Sequence, residues 1–235
     1  MTIYVGLDLS LVSPGVAIYD GISEVWLLYG FAQRIRERGL TKRLQNTTIH
    51  ILPAIPNSPT TTNEERYEHI RHQIIDTILS PYANETDVLI GIESYAFGTR
   101  NSGSSYKLQE LGGVVKHSIW KHYPLWRRES IPPTKWTKHT LGNGRSTKAD
   151  VIEYVRTNGP RVPLLDLLGL VPTQKGEIPC PAQDLADAAC ICLSFVPTIT
   201  PGDKKRRRDS DDEPTTFVYT PDIRNPHCHA RTRST

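Results

Sequence analysis

The sequence has no apolar run that approaches the about 20 residues needed to cross a membrane as a helix. Its four cysteines, at positions 180, 190, 192 and 228, form no CxxC pair. The first ten residues, MTIYVGLDLS, carry no basic leader, so we expect no secretion signal. These absences argue against a membrane protein and predict a soluble intracellular protein with reduced thiols.

Acidic residues are scarce between Gly98 and Lys148. That segment holds ten lysines and arginines but only two acids, Glu110 and Glu129, so ten minus two gives it a local charge of +8, whereas the 235-residue chain carries +3. An excess of one sign over so short a segment predicts a polyanionic partner such as nucleic acid. A solvated basic face without a partner is the alternative.

Large apolar residues are missing from the run TPGDKKRRRDSDDEPTT, which begins at position 200. A segment of this kind buries too little apolar surface to fold, so we expect residues 198–235 to form a disordered tail after one domain spanning 1–197. The KKRRR run inside it is a nuclear address, a source of extra DNA affinity, or a plain solvated segment.

The first part of the domain is predicted to be rich in strands. Alternating apolar residues predict strands over TIYVGLDLS, SPGVAIYDG and EVWLLYGFA, joined as an antiparallel meander. Residues 40–62 are predicted to be a loop with room for one extra strand over IHILPAI. DVLIGIES is predicted to be a strand buried on both faces, and PLWRRESI another strand.

Helices are predicted between and after these strands. The run TTNEERYEHIRHQIIDTIL starts with a Thr/Asn cap and has an apolar face formed by Tyr67, Ile70, Ile74 and Ile78. A second helix over 104–122 contains Gly112 and Gly113, which indicates either a tight fit against the sheet or a contact with a second subunit. STKADVIEYVRTNG is predicted to be a helix with a serine cap.

The last predicted helix is AQDLADAACICLSFV. Strands followed by alternating helices and strands predict an α/β fold, in which a mixed sheet contains the antiparallel three-strand meander and has helices on both faces.

Four acids stand at positions where the predicted elements end or begin. Asp8 closes the first strand, and Glu93 closes the strand DVLIGIES. Asp184 and Asp187 are three residues apart on the last helix and therefore share a face. If the two strands are neighbours and the helix crosses their ends, the four carboxylates meet at one edge of the sheet.

Carboxylates brought together repel one another unless cations neutralise them. Oxygen ligands suit Mg²⁺ or Mn²⁺, and two such ions about 4 Å apart activate water and stabilise a leaving alkoxide in phosphodiester hydrolysis. Each acid also has a simpler explanation. Asp8 could cap a turn, and Glu93 could pair with an arginine. Asp184 and Asp187 could be placed near the start of the helix because the helix dipole stabilises negative charge there.

Four blocks of sequence carry a resemblance to a known family. GLDLSLVSPGVAIYD, LIGIESYAFGTRNSG, TKHTLGNGRSTKADV and QDLADAACI resemble, in order, the motif blocks of the RuvC family of Holliday junction resolvases, and most closely its branch in phages and large DNA viruses. The blocks span residues 6–192. The resemblance implies an RNase H-like fold, a homodimer, and symmetric nicking of four-way DNA junctions with two Mg²⁺ or Mn²⁺ ions per active site.

The resemblance also assigns residues. It makes Asp8, Glu93, Asp184 and Asp187 the metal-binding acids and Lys148 the active-site lysine, whose charge would stabilise negative charge on the phosphate. An aromatic after the central acid stacks on bases in this family, a role that implies Tyr95 or Phe97 here. The further DNA contacts predicted from the basic segment are Arg100, Asn101, Lys107, Lys138 and Arg145.

The sequence therefore predicts a structure-selective DNA endonuclease that resolves four-way junctions. An RNase H-fold nuclease acting on other branched DNA or on RNA–DNA hybrid is the first alternative. An actin-like ATPase has a similar first block but needs two such domains, and a junction-binding protein without activity would gain nothing from four acids facing phosphates. Neither the insert at 40–62 nor the tail has a counterpart in bacterial RuvC.

Overall fold

The chain forms two units, Met1–Val196 and Pro197–Thr235. The computed structural model describes residues 2–32, 44, 47–55, 58, 60–94, 102–174 and 176–197, with the backbone alone at 102–104. Of the second unit, only Pro197 is described. The boundary predicted at 197, the disorder of the tail and the role of KKRRR therefore stay predictions.

The described part of the first unit contains one mixed sheet. Its strands are β1 (Ile3–Asp8), β2 (Gly15–Asp20), β3 (Trp26–Ala32), β4 (Ile49–Pro53), β5 (Val88–Glu93) and β6 (Arg127–Ile131). They lie in the order β4-β3-β2-β1-β5-β6. β1, β2 and β3 pair antiparallel, whereas β3–β4, β1–β5 and β5–β6 are parallel.

This topology confirms the predicted mixed sheet with its antiparallel meander. The extra strand allowed for in the 40–62 segment is β4, which extends the meander on its open side by parallel pairing with β3. The run PLWRRESI supplies β6, which forms the opposite edge of the sheet.

Six α-helices are described, and the first continues directly into a π-helix over Gln73–Leu79. The helices are α1 (Asn63–His72), α2 (Ser102–His122), α3 (Pro133–Leu141), α4 (Lys148–Thr157), α5 (Leu164–Leu168) and α6 (Ala182–Leu193). Sequence analysis did not predict α3 or α5. Both are short, and α3 has too few apolar residues to show a helical stripe.

The predicted serine cap of α4 is wrong by one residue. Thr147 is the N-cap: its backbone is extended, and its hydroxyl accepts a hydrogen bond from the backbone N–H of Asp150. The Asp150 side chain accepts a bond from the Thr147 N–H in return, which completes a capping box. The Ser146 hydroxyl instead donates to the carbonyl of Asn143 in the preceding turn.

Each face of the sheet is covered by its own apolar core, which confirms helices on both faces. One face packs against α1, the π-helix and α2, and the predicted stripe of α1 is buried there. The other face packs against α3, α4, α5 and α6. Along β1, Ile3, Val5 and Leu7 point to the first core, so Tyr4, Gly6 and Asp8 point toward α6.

Two glycines let α6 lie directly on the strands. A Cβ added to Gly6 would fall 2.1 Å from the carbonyl oxygen of Ala188, and one added to Gly15 would fall 2.1 Å from the carbonyl oxygen of Asp184. Any larger residue at either position would push the helix away from the sheet. The backbone of α6 therefore lies in close contact with the backbones of β1 and β2.

The glycine pair of α2 shows a different environment. Gly112 is buried, but Gly113 is exposed, and a Cβ on Gly113 would meet nothing within 4 Å. A tight fit against the sheet therefore does not explain Gly113. Among the described helices, none is both long and apolar enough to cross a membrane.

Candidate active site

Two strand ends place the first two acids side by side. Asp8 is the last residue of β1 and Glu93 the last residue of β5. These strands are parallel neighbours, and Leu7 is paired with Ile92, so the acids occupy the next position in register. Neighbouring strands lie about 4.8 Å apart. The two carboxyl groups interact electrostatically on the face covered by α6.

The first two turns of α6 add the other two acids. The carbonyl of Asp184 rests against Gly15, which pairs with Asp8 across β1 and β2. Asp184 is only 9% exposed, and its Oδ2 atom has no hydrogen-bond partner among the described residues. Asp187 is half-buried and interacts electrostatically with Asp8, Glu93 and Asp184. The structure thus brings the four predicted acids together.

Burial and mutual repulsion raise the pKa values of these acids. Burial first, and then the charges of Glu93, Asp187 and Asp184, raise the pKa of Asp8 well above 3.8. Burial also raises the pKa values of Glu93 and Asp184. Burial, with the charge of Glu93 next, raises the pKa of Asp187 to about 7. Such displaced values are typical of functional carboxylates.

The donor chemistry of this four-acid cluster suits a hard divalent cation. Buried carboxylates that repel one another supply the oxygen donors that such a cation prefers, and Oδ2 of Asp184 has no hydrogen-bond partner among the described residues. Within the described ranges, however, no three His, Cys, Asp or Glu side chains already stand in an arrangement that holds a metal.

Lys148 reaches the cluster through a glutamine. It is the first residue of α4, and its Nζ donates to Oε1 of Gln183 at 2.6 Å. The amide nitrogen of Gln183 in turn lies 3.4 Å from Oδ2 of Asp187. The lysine charge opposes the rise in the pKa of Asp184 and of Asp187. Sequence analysis missed Gln183, although it adjoins Asp184 in the block QDLADAACI.

Trp136 is a second residue that sequence analysis missed. It lies on α3, is 4% exposed, and donates its indole N–H to Oε1 of Glu93 at 3.0 Å. The one available signal was its position directly before the block TKHTLGNGRSTKADV.

The predicted DNA contacts are described only in part. Lys107 on α2, Lys138 on α3 and Arg145 in the turn before α4 are all exposed. None of the three makes an ion pair with a described residue. Tyr95, Phe97, Arg100 and Asn101 lie outside the described residues, so their predicted contacts with DNA stay predictions.

Comparison with known proteins identifies the class of fold. No protein-family model and no curated protein sequence matches the chain. Among solved structures, Thermus thermophilus RuvC in complex with a Holliday junction substrate matches with a TM-score of 0.50 at 19% identity, over 83% of this chain and 92% of that one. This similarity shows that the first unit has a RuvC-like fold.

Two further structures match less closely. Thermus thermophilus RuvC alone gives a TM-score of 0.49 at 16% identity, over 83% of this chain and 95% of that one. The yeast mitochondrial Holliday junction resolvase Ydc2 gives a TM-score of 0.46 at 11% identity, over 81% of this chain and 76% of that one. The match to RuvC in its junction complex, at a TM-score of 0.50, confirms for the fold the resemblance drawn from the sequence blocks. The phage and viral branch stays a prediction.

Proposed function

We propose that this protein is a structure-selective DNA endonuclease that resolves four-way junctions by metal-dependent phosphodiester hydrolysis. One observation carries the proposal: four acids from three separate elements meet beside Lys148, at the edge of a sheet of the RuvC-like class. A binding protein has no use for clustered carboxylates, since they repel the phosphates of its ligand.

The acids and the lysine have separate roles in this proposal. Asp8, Glu93, Asp184 and Asp187 would hold two Mg²⁺ or Mn²⁺ ions, which when bound supply an activated water and neutralise charge at the scissile phosphate. Lys148 would exchange Gln183 for a phosphate oxygen and stabilise the negative charge that develops there. The exposed Lys138 and Arg145 would bind the DNA backbone, because charge-assisted contacts to phosphate supply most of the affinity.

We further propose that the active protein is a homodimer, because two symmetric nicks in a two-fold junction call for a two-fold enzyme. The outer face of α2 supports this. Tyr106, Gly113 and Trp120 are spaced by seven residues along it, and the two aromatic side chains are 68% and 56% exposed. Residues seven apart lie on one face of a helix, and exposed aromatics on such a face favour contact with another protein surface.

The test is cleavage of a labelled immobile four-way junction by the full chain in Mg²⁺. We expect paired nicks at symmetric positions. Flaps, RNA–DNA hybrids and plain duplexes run in parallel separate junction resolution from the alternative nuclease activities. Asp187→Asn should abolish cleavage while binding to the junction in Ca²⁺ survives. Full cleavage by this variant would refute the role of the acids, and hybrid cleavage without junction cleavage would refute the substrate.

A further inference from the structure

The indole of Trp136 is held in a fixed direction. The side chain is 4% exposed and packs in the core between the sheet and α3, α4, α5 and α6. An indole has one N–H and no acceptor, so a buried tryptophan directs a single hydrogen bond. Here that bond goes to Oε1 of Glu93, at 3.0 Å.

Glu93 depends on such a bond for its orientation. Rotation of a glutamate carboxylate about its last single bond is soft, and no rotamer well fixes it. The indole N–H occupies Oε1 and therefore sets the plane of the carboxylate that faces Asp8. Carboxylates that bind metals in proteins are held by outer hydrogen bonds of this kind.

We propose that Trp136 is the positioning residue for Glu93, and that its N–H sets how tightly the four-acid cluster binds a divalent cation. This inference rests on the proposed function, since it assumes that the cluster takes a cation. It assigns to α3, a helix that supplies no acid, the task of orienting the central acid.

Trp126 provides a matched control in the same chain. It is 3% exposed, and its indole N–H also makes one hydrogen bond, to the carbonyl oxygen of Glu85 at 2.7 Å. Glu85 precedes β5, whereas Glu93 ends it, so this indole lies at the opposite end of the strand from the cluster. Replacing either tryptophan by phenylalanine removes one buried donor and the same side-chain volume, so the two variants differ in which acceptor loses its hydrogen bond.

The experiment is titration of the full, DNA-free chain with Mn²⁺ by isothermal calorimetry. We expect Trp136→Phe to weaken Mn²⁺ binding about 10-fold or more, the range found when outer partners of metal ligands are removed. Trp126→Phe should bind Mn²⁺ within about twofold of wild type, even though it loses a comparable buried bond. Equal affinities for wild type and Trp136→Phe overturn the inference.

A double-mutant cycle tests whether the indole acts through Glu93. In a Glu93→Ala background, the further change Trp136→Phe should leave Mn²⁺ affinity within about twofold, because no side-chain oxygen is left for the indole to position. An undiminished effect of Trp136→Phe in that background shows a general structural role and overturns the inference.

A second measurement needs no change at Trp136. The indole N–H signals of the wild-type chain are assigned from Trp26→Phe, Trp120→Phe and Trp126→Phe, which leaves Trp136 by elimination. Addition of Mg²⁺ should move the Trp136 signal and leave the Trp126 signal in place. A Trp136 signal that stays still while Mg²⁺ binds overturns the inference alone. A wild-type chain that binds no divalent cation and cuts no junction overturns both the inference and the proposed function.

Discussion

Asp187 destabilises the metal-free protein, and a neutral side chain of the same shape should remove this effect. Burial and the charge of Glu93 raise the pKa of Asp187 from 3.8 to about 7. Each unit of pKa is worth about 1.4 kcal/mol, so ionising Asp187 in the folded state costs up to about 4 kcal/mol. The acids redistribute protons among themselves, and for this reason we expect a smaller gain of about 2 kcal/mol for Asp187→Asn at about pH 8. For a folded unit of this size that gain is about 4–8 °C in Tm.

The effect has a definite sign with pH. Between about pH 4 and about pH 7 the folded protein holds the Asp187 proton that the unfolded chain has released, so the free energy of unfolding falls as pH rises through this window. The gain from Asp187→Asn is therefore small near pH 4 and full above about pH 7. Mg²⁺ reverses the ranking if it binds the folded carboxylates alone, because such a ligand stabilises the wild type more than the variant.

The assay is thermal unfolding of the full chain, followed by circular dichroism, at several pH values with EDTA or with Mg²⁺. Asp166→Asn on α5 is the control, because that aspartate is exposed and is not part of the cluster. This substitution should change the free energy of unfolding by no more than about 0.5 kcal/mol. If Asp187→Asn is less stable than wild type in EDTA at about pH 8 while Asp166→Asn is unchanged, the electrostatic reasoning is wrong.

Three further outcomes follow from the same structure. Gly6→Ala should lower the free energy of unfolding in urea by at least about 1–3 kcal/mol, because its Cβ would fall 2.1 Å from a backbone oxygen of α6. Gly113→Ala should instead raise the free energy of unfolding by up to about 1 kcal/mol. Equal effects of the two substitutions would contradict the close contact of α6 with the strands. At limiting Mg²⁺, the cleavage rate should rise as the pH increases through about 7, because protons and the cation compete for Asp187. The midpoint of this pH–rate curve should move to lower pH when the Mg²⁺ concentration is raised. A cleavage rate that does not change with pH would contradict this reasoning. Sedimentation should show a dimer that Trp120→Glu converts to monomer, and a wild-type monomer at every concentration would remove the proposed interface.

Local patterns in the sequence were sufficient to predict the strands of the meander and the position of each acid on its own element. Alternating apolar residues define β1, β2 and β3, and an acid directly after such a run must stand at the end of a strand. Asp184 and Asp187 share a helix face at any register, because their spacing alone determines it. Only the pairing of β1 with β5 and the crossing of α6 had to be assumed, and the family resemblance supplied both.

The contacts around the acids could not be predicted from such patterns. Trp136 on α3 reaches Glu93 at the end of β5 through its indole N–H. A nine-residue helix with few apolar positions shows no helical periodicity from which this contact could be predicted. The bond from Lys148 to Gln183 joins residues 35 positions apart on two different helices. No local sequence pattern determines how those two helices cross. The choice of Thr147 over Ser146 as a cap depends on one backbone turn, and sequence reasoning places helix ends only to within a residue or two.

The packing of α6 against the sheet explains how four mutually repelling acids stay together in the metal-free protein. The contacts at Gly6 and Gly15 are between backbones, so they fix the position of Asp184 and Asp187 over the sheet without help from side-chain charge. The helix behind the two acids is almost wholly buried, and that apolar burial opposes the repulsion at its first turns. The cluster is therefore held by packing and destabilised by its own electrostatics. Neutral replacements of its acids should accordingly fold at least as well as the wild type while they lose the chemistry.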